Sequence, residues 1–137
     1  MIAINPYLHF NGTCEEAFKA YEKILGGKIG MISRFSEAPP EMGSDPAFGD
    51  KIMHIRMAIG SSMLMGSDAP ASRFKTPQGF SVSVNTDDPA EADRIFAGLA
   101  EGGRVDMPIQ QTFWAQRFGM CVDRFGIAWL VNCEKAM

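Results

Sequence analysis

Residues 112–132 read TFWAQRFGMCVDRFGIAWLVN, and this stretch decides the fold. An apolar run, Met120-Cys121-Val122, leads into Asp123-Arg124-Phe125-Gly126, and a second, Ile127 to Val131, leads out. Aspartate opens a tight turn because its side chain bonds nearby backbone N–H groups, and glycine closes it because it accepts positive φ. A β-hairpin is therefore expected here. Phe113 and Trp114 flank it on one side, Phe125 and Trp129 on the other, so the rest of the chain must supply what buries it.

The totals bound what that rest can be. The 137 residues allow one domain, or two half-domains sharing a core. A hydrophobic share of 46% with 21% charged residues is ordinary for a soluble globular chain. A net charge of −3 without a basic run gives no electrostatic reason to expect a nucleic-acid partner. No apolar stretch approaches a membrane span, and the N-terminus MIAINPYLHF has neither the basic leader nor the apolar core of a signal peptide. Cys14, Cys121 and Cys133 are odd in number and lack CxxC spacing, which points to reduced thiols and a cytoplasmic location.

Working outward, the same order of elements occurs twice. Ile2 to Phe10 reads as a strand, and Thr13-Cys14-Glu15-Glu16 as a capping box opening a helix. Cys14, Ala17, Phe18, Tyr21, Ile24 and Leu25 recur at helical spacing, and Gly26-Gly27 ends that helix. A strand from Lys28 to about Phe35 follows, then a long Pro-, Gly- and acid-rich loop, Ser36 to Asp50, of the kind that is functional or mobile. Lys51–Ile59 and Ser62–Gly66 make a hairpin about Gly60-Ser61. Then Phe80–Asn85 alternates, Asp88-Pro89 starts a second helix, Gly102-Gly103 ends it, and a strand near 104–111 precedes the opening hairpin. GGKI at Gly26 and GGRV at Gly102 mark the same point in each copy. The expectation is an α+β chain of two strand-helix-three-strand modules, about 1–76 and 77–137, that must pair because neither buries its sheet alone.

The segments PYLHFNGTCEEAFKAY, HIRMAIGSSMLMGSD and TFWAQRFGMCVDRFGIAWLVN resemble the vicinal oxygen chelate superfamily of glyoxalase, bleomycin-resistance and dioxygenase proteins, in its PhnB-like branch. The resemblance implies two βαβββ modules forming an incompletely closed eight-stranded barrel around a cup, with the helices on the outer faces, and dimers are common in the superfamily. It also implies where a divalent metal would sit, on inward-facing His, Gln or Glu of four strands. Those positions fall near Pro6, at Met65 or Gly66, at Ser81 or Phe80, and at Leu130. None is a good ligand, so no cofactor is expected; a divalent metal is the alternative if the register slips. Chains of this branch are sometimes labelled 3-demethylubiquinone methyltransferases. Methyl transfer from S-adenosylmethionine commonly uses a glycine-rich strand-helix loop, and this sequence has none.

Several residues are candidates for contact with a small molecule. His54 and Arg56 share the polar side of an otherwise apolar strand and suit an anionic or carbonyl-bearing ligand. Asp68 can accept a hydrogen bond, although an aspartate at a strand end is more often turn chemistry. Ser81, Ser83, Asn85 and Asn132 offer neutral hydrogen bonds, and Trp114 an aromatic wall. His9 reads as a packed histidine, Cys121 and Cys133 as core residues, and Met53, Met57, Met63 and Met65 as core filling. Three functions stay open: a small-molecule binder without metal, a metal-dependent glyoxalase- or dioxygenase-type enzyme, or a structural protein whose cup is filled. Unpaired sheet edges favour a homodimer.

Overall fold

The hairpin forms around Asp123. In the computed structural model, which describes residues 2–38 and 48–134, Oδ1 of Asp123 accepts from the N–H groups of Phe125 (2.9 Å) and Ile127 (3.0 Å). Its Oδ2 accepts from Nε1 of Trp129 at 2.8 Å. Gly126 sits at φ 96°, where a side chain would be strained. The turn aspartate therefore also anchors the largest buried side chain of the second module.

The two strands of this hairpin, β7 (Ala115–Val122) and β8 (Ala128–Glu134), belong to the second of two compact units, Met1–Lys75 and Thr76–Met137. That unit also holds β5 (Val82–Thr86), α2 (Pro89–Ala100) and β6 (Arg104–Gln110), with strand order β5-β8-β7-β6 and β5 parallel to β8. The first unit holds β1 (Tyr7–Phe10), α1 (Cys14–Leu25), β2 (Lys28–Arg34), β3 (Ile52–Ile59) and β4 (Ser62–Asp68). Its order is β1-β4-β3-β2, again with one parallel pair, β1 with β4. The repeat is thus a repeat of topology, and the chain is α+β with two βαβββ modules. Residues 39–47 of the expected 36–50 loop lie outside the described residues.

Each helix covers one face of its own sheet. Phe18 and Tyr21 of α1 meet Phe10 of β1, with ring centroids 6.1 and 6.5 Å apart. Gly66 lies directly beneath Phe18, where an added Cβ would come within 2.7 Å of the ring. In the second module Phe96 of α2 occupies the same kind of place over Gly119, at 2.6 Å. Strands that pack helices this closely need a missing side chain under the ring.

Several local readings need correction. The first strand begins at Tyr7, so residues 2–6 are not part of it, and β5 starts at Val82, leaving Phe80 outside it and exposed. Thr13 makes no side-chain cap on α1. The cap comes from across the sheet: Asp68 accepts from the N–H of Cys14 through Oδ1 and of Ile52 through Oδ2, both at 2.9 Å. A carboxylate at a helix N-terminus satisfies an orphan donor and opposes the helix dipole. The second helix is capped as expected, with Asp88 accepting from the N–H of Ala90 at 3.0 Å and Pro89 at the first helical position. Of the four methionines expected to fill the core, only Met57 is fully buried.

Candidate functional site

The face of the first sheet turned away from α1 gathers aromatic and basic side chains. Leu8, Phe10, Ile55, Met57 and Leu64 point toward the helix, so alternation sends Tyr7, His9, His54, Arg56 and Met65 to the other side. The register places Tyr7 beside Met65, Met65 beside Arg56, and Arg56 beside Met31, a row across all four strands. Nη2 of Arg56 lies 3.7 Å from Sδ of Met31. The Tyr7 hydroxyl stands 3.1 Å from Nδ1 of His54, and the two rings stack at 5.6 Å. His9 is exposed, with its ring 5.2 Å from that of Tyr7. Which of the two donates depends on the imidazole tautomer: when the hydroxyl donates to Nδ1, the ring proton is on Nε2. Sequence reasoning paired His54 with Arg56 but missed Tyr7, whose partner is 47 residues away.

Asp68 does not join this group. It is only 3% exposed, and both carboxylate oxygens hold backbone N–H groups. Through these two contacts it ties α1 to β3.

In the second module the face away from α2 carries neutral polar groups. Asn132 Nδ2 donates to Oδ1 of Asn85 at 3.3 Å, and Asn85 Nδ2 donates to Oγ of Ser83 at 3.2 Å. The chain of amides ends at Asn132 Oδ1, a buried atom without a hydrogen-bond partner among the described residues. Asn132 also pairs in register with Phe118, whose ring meets Trp114 edge-on at 5.2 Å; Trp114 is 44% exposed. Ser83, Asn132 and Trp114 therefore share one region of this module, while Ser81 precedes β5 and makes none of these contacts.

The positions counted for a divalent metal carry no strong ligand side chain. β1 presents Tyr7 and His9 on its face away from α1, and Pro6 lies before the strand. Met65 and Leu130 offer no hard donor, and Gly66 has no side chain. Among the described residues no three His, Cys, Asp or Glu side chains gather as a metal would require. The thiols are poor nucleophiles: burial pushes Cys121 up to about 11, and raises Cys14 and Cys133 as well. Among the described residues no helix is long and apolar enough to cross a membrane.

With this geometry established, comparison with known proteins fixes the family. Residues 2–132 match the family described as 3-demethylubiquinone-9 3-methyltransferase. The chain belongs to this family. Protein YjdN of Escherichia coli K12 is 34% identical, over 96% of this chain and 95% of that protein. The crystal structure of protein PA1353 from Pseudomonas aeruginosa superposes with a TM-score of 0.90 at 47% identity, covering 99% of this chain and 100% of that one. The PhnB protein from Bacillus cereus gives 0.80 at 25% identity, covering 96% and 99%. The chain is thus PhnB-like. A glyoxylase/bleomycin resistance protein/dioxygenase domain from Frankia, at 13% identity and TM-score 0.64 over 98% of this chain and 97% of that one, shares the fold. At that identity the likeness is one of fold alone.

Proposed function

We propose that this PhnB-like protein binds a small anionic or carbonyl-bearing molecule on the face of its first sheet turned away from α1, without a tightly held metal. The observation that carries the reading is the Tyr7–His54 pair at 3.1 Å with Arg56 on the same face. A guanidinium and an imidazole Nε2–H are charge-assisted and neutral donors that an oxyanion or carbonyl can use together. The second module has a polar face of its own, where the Ser83 hydroxyl and the Asn85 and Asn132 amides lie in one hydrogen-bonded row and Trp114 is half-exposed. The absence of a glycine-rich strand-helix loop argues against methyl transfer from S-adenosylmethionine, whatever the family is called.

The metal-free reading is tested by elemental analysis of dialysed protein. Well below one transition-metal ion per chain is expected; stoichiometric zinc, nickel, manganese or iron would promote a glyoxalase- or dioxygenase-type enzyme instead. The proposal places the protein in the cytoplasm, consistent with three buried free thiols. It also makes it a homodimer, since each four-stranded sheet has two edge strands that invite pairing. Sedimentation at micromolar concentration giving the 15.0 kDa monomer mass would end the dimer proposal.

A further inference from the structure

The first module holds a cleft of about 1140 Å³ that lies beyond the Tyr7–His54 pair and shares only His9 with that region. The turn after β1, the start of β3 and the segment following β4 form its walls. Lys51, Arg73 and Lys75 line it, and among the described residues Asp68 is the one carboxylate that does. Among the described lining residues three cations stand against one anion, in a chain whose net charge is −3. Both Asp68 oxygens accept backbone N–H groups, and among the described residues no ion pair joins that carboxylate to any of the three cations. Among the described residues the Lys51 ammonium donates to the carbonyl of Gly12, at 3.2 Å, and to no carboxylate. Among the described residues no carboxylate pairs with Arg73 or Lys75. Phe35, Phe48 and Phe74 form the apolar part of the wall, the first two with ring centroids 5.0 Å apart.

Backbone hydrogen bonds hold these groups in place. Phe35 donates to the carbonyl of Lys51 at 3.1 Å, and Lys51 to that of Phe48 at 3.0 Å, which fixes the two rings beside the lysine. Arg73 and Phe74 both donate to the carbonyl of Pro70, at 2.8 and 2.9 Å, so the opposite wall is an ordered turn. A concave site with a few converging cations and aromatic walls suits a ligand with one charged end and one flat apolar end. We propose that this cleft binds an anion, a phosphate, sulfonate or carboxylate, carried on an aromatic body. The assignment does not depend on the ligand-binding role of His54 and Arg56.

Phenyl phosphate is the probe, with inorganic phosphate and phenol as the two halves of its chemistry. Amide chemical shifts of uniformly 15N-labelled full-length protein read the site directly. Saturable shifts at Gly12, Lys51, Phe74 and Lys75 are expected with phenyl phosphate, and binding about tenfold weaker or worse with either half alone. The exposed double variant Arg73→Glu, Lys75→Glu should keep the dispersed spectrum and lose about tenfold or more in affinity. His54→Ala and Arg56→Ala should leave this titration unchanged, which separates the cleft from the face described above. Equal affinity for inorganic phosphate and phenyl phosphate would overturn the aromatic half of the assignment. Shifts that never saturate, or unchanged affinity in a folded double variant, would overturn the whole.

Discussion

Asp123→Ala removes the acceptor at the centre of the C-terminal hairpin. The carboxylate is 6% exposed and receives two backbone N–H groups and the indole N–H of Trp129. Hydrogen bonds to a charged acceptor contribute about 1.5–3 kcal/mol each, and a buried donor left unmatched costs about 1–3 kcal/mol. The three are not additive, because they share one acceptor. Phe125 lies at the partly exposed end of the turn, where water can replace the carboxylate; Ile127 and Trp129, each 1% exposed, cannot be reached so easily. Two lost bonds at buried donors predict a destabilisation of about 3–5 kcal/mol, a large part of a typical domain's stability. Asp123→Asn keeps one good acceptor oxygen and should cost less, while Trp129→Phe isolates the indole share. Urea unfolding followed by circular dichroism and by tryptophan fluorescence gives these differences, provided the two probes coincide. An Asp123→Ala loss within about 1 kcal/mol of zero would refute the reasoning that this aspartate organises the module.

Two further outcomes follow from the ionisable groups. Glu15 is held down to about 2, from an ordinary 4.5, chiefly by its hydrogen bonds to Arg34 at 2.8 and 3.1 Å. As pH falls the unfolded chain takes up that proton first, so the pair's stabilisation is complete above about 4.5 and fades toward 2. The stability gap between wild type and Glu15→Gln should shrink across that window in a pH series of denaturation curves; a constant gap would contradict the sign. The three cysteines, raised by burial, should react with a thiol reagent at pH 8 only as fast as the protein opens, and labelling of native protein within seconds would contradict this.

What the sequence made legible was local. The D-x-x-G turn, the Asp88-Pro89 helix start and the glycine pairs each act within a few residues, so their chemistry is written in one stretch. The repeat of those signals was enough to give both modules their element order. What stayed hidden was contact across the sheet. The cap of α1 comes from Asp68, 54 residues from Cys14, and nothing in Thr13-Cys14-Glu15-Glu16 discloses that a distant carboxylate displaces the local capping box. Tyr7 meets His54 because β1 is parallel to β4, which in turn pairs with β3; only the strand order brings them together. The resemblance implies a metal position near Pro6, whereas the strand begins one residue later and presents Tyr7 and His9. The basic cleft drew no notice because Lys51, Arg73 and Lys75 form no run, and the chain's overall charge is negative.

The central claim, binding without metal through the Tyr7–His54–Arg56 face, is tested most directly by ligand-dependent melting of chelator-treated protein. A panel of small carboxylates, phosphonates and carbonyl compounds is screened, and the best ligand is repeated on His54→Ala and Arg56→Ala. Ligand at roughly one hundred times its dissociation constant stabilises the native state by about 2.7 kcal/mol, enough for a measurable rise in melting temperature. The account predicts a rise that persists in chelator and is lost in both variants. A rise that appears only when manganese, nickel or zinc is added back, or that survives in both variants, would contradict it.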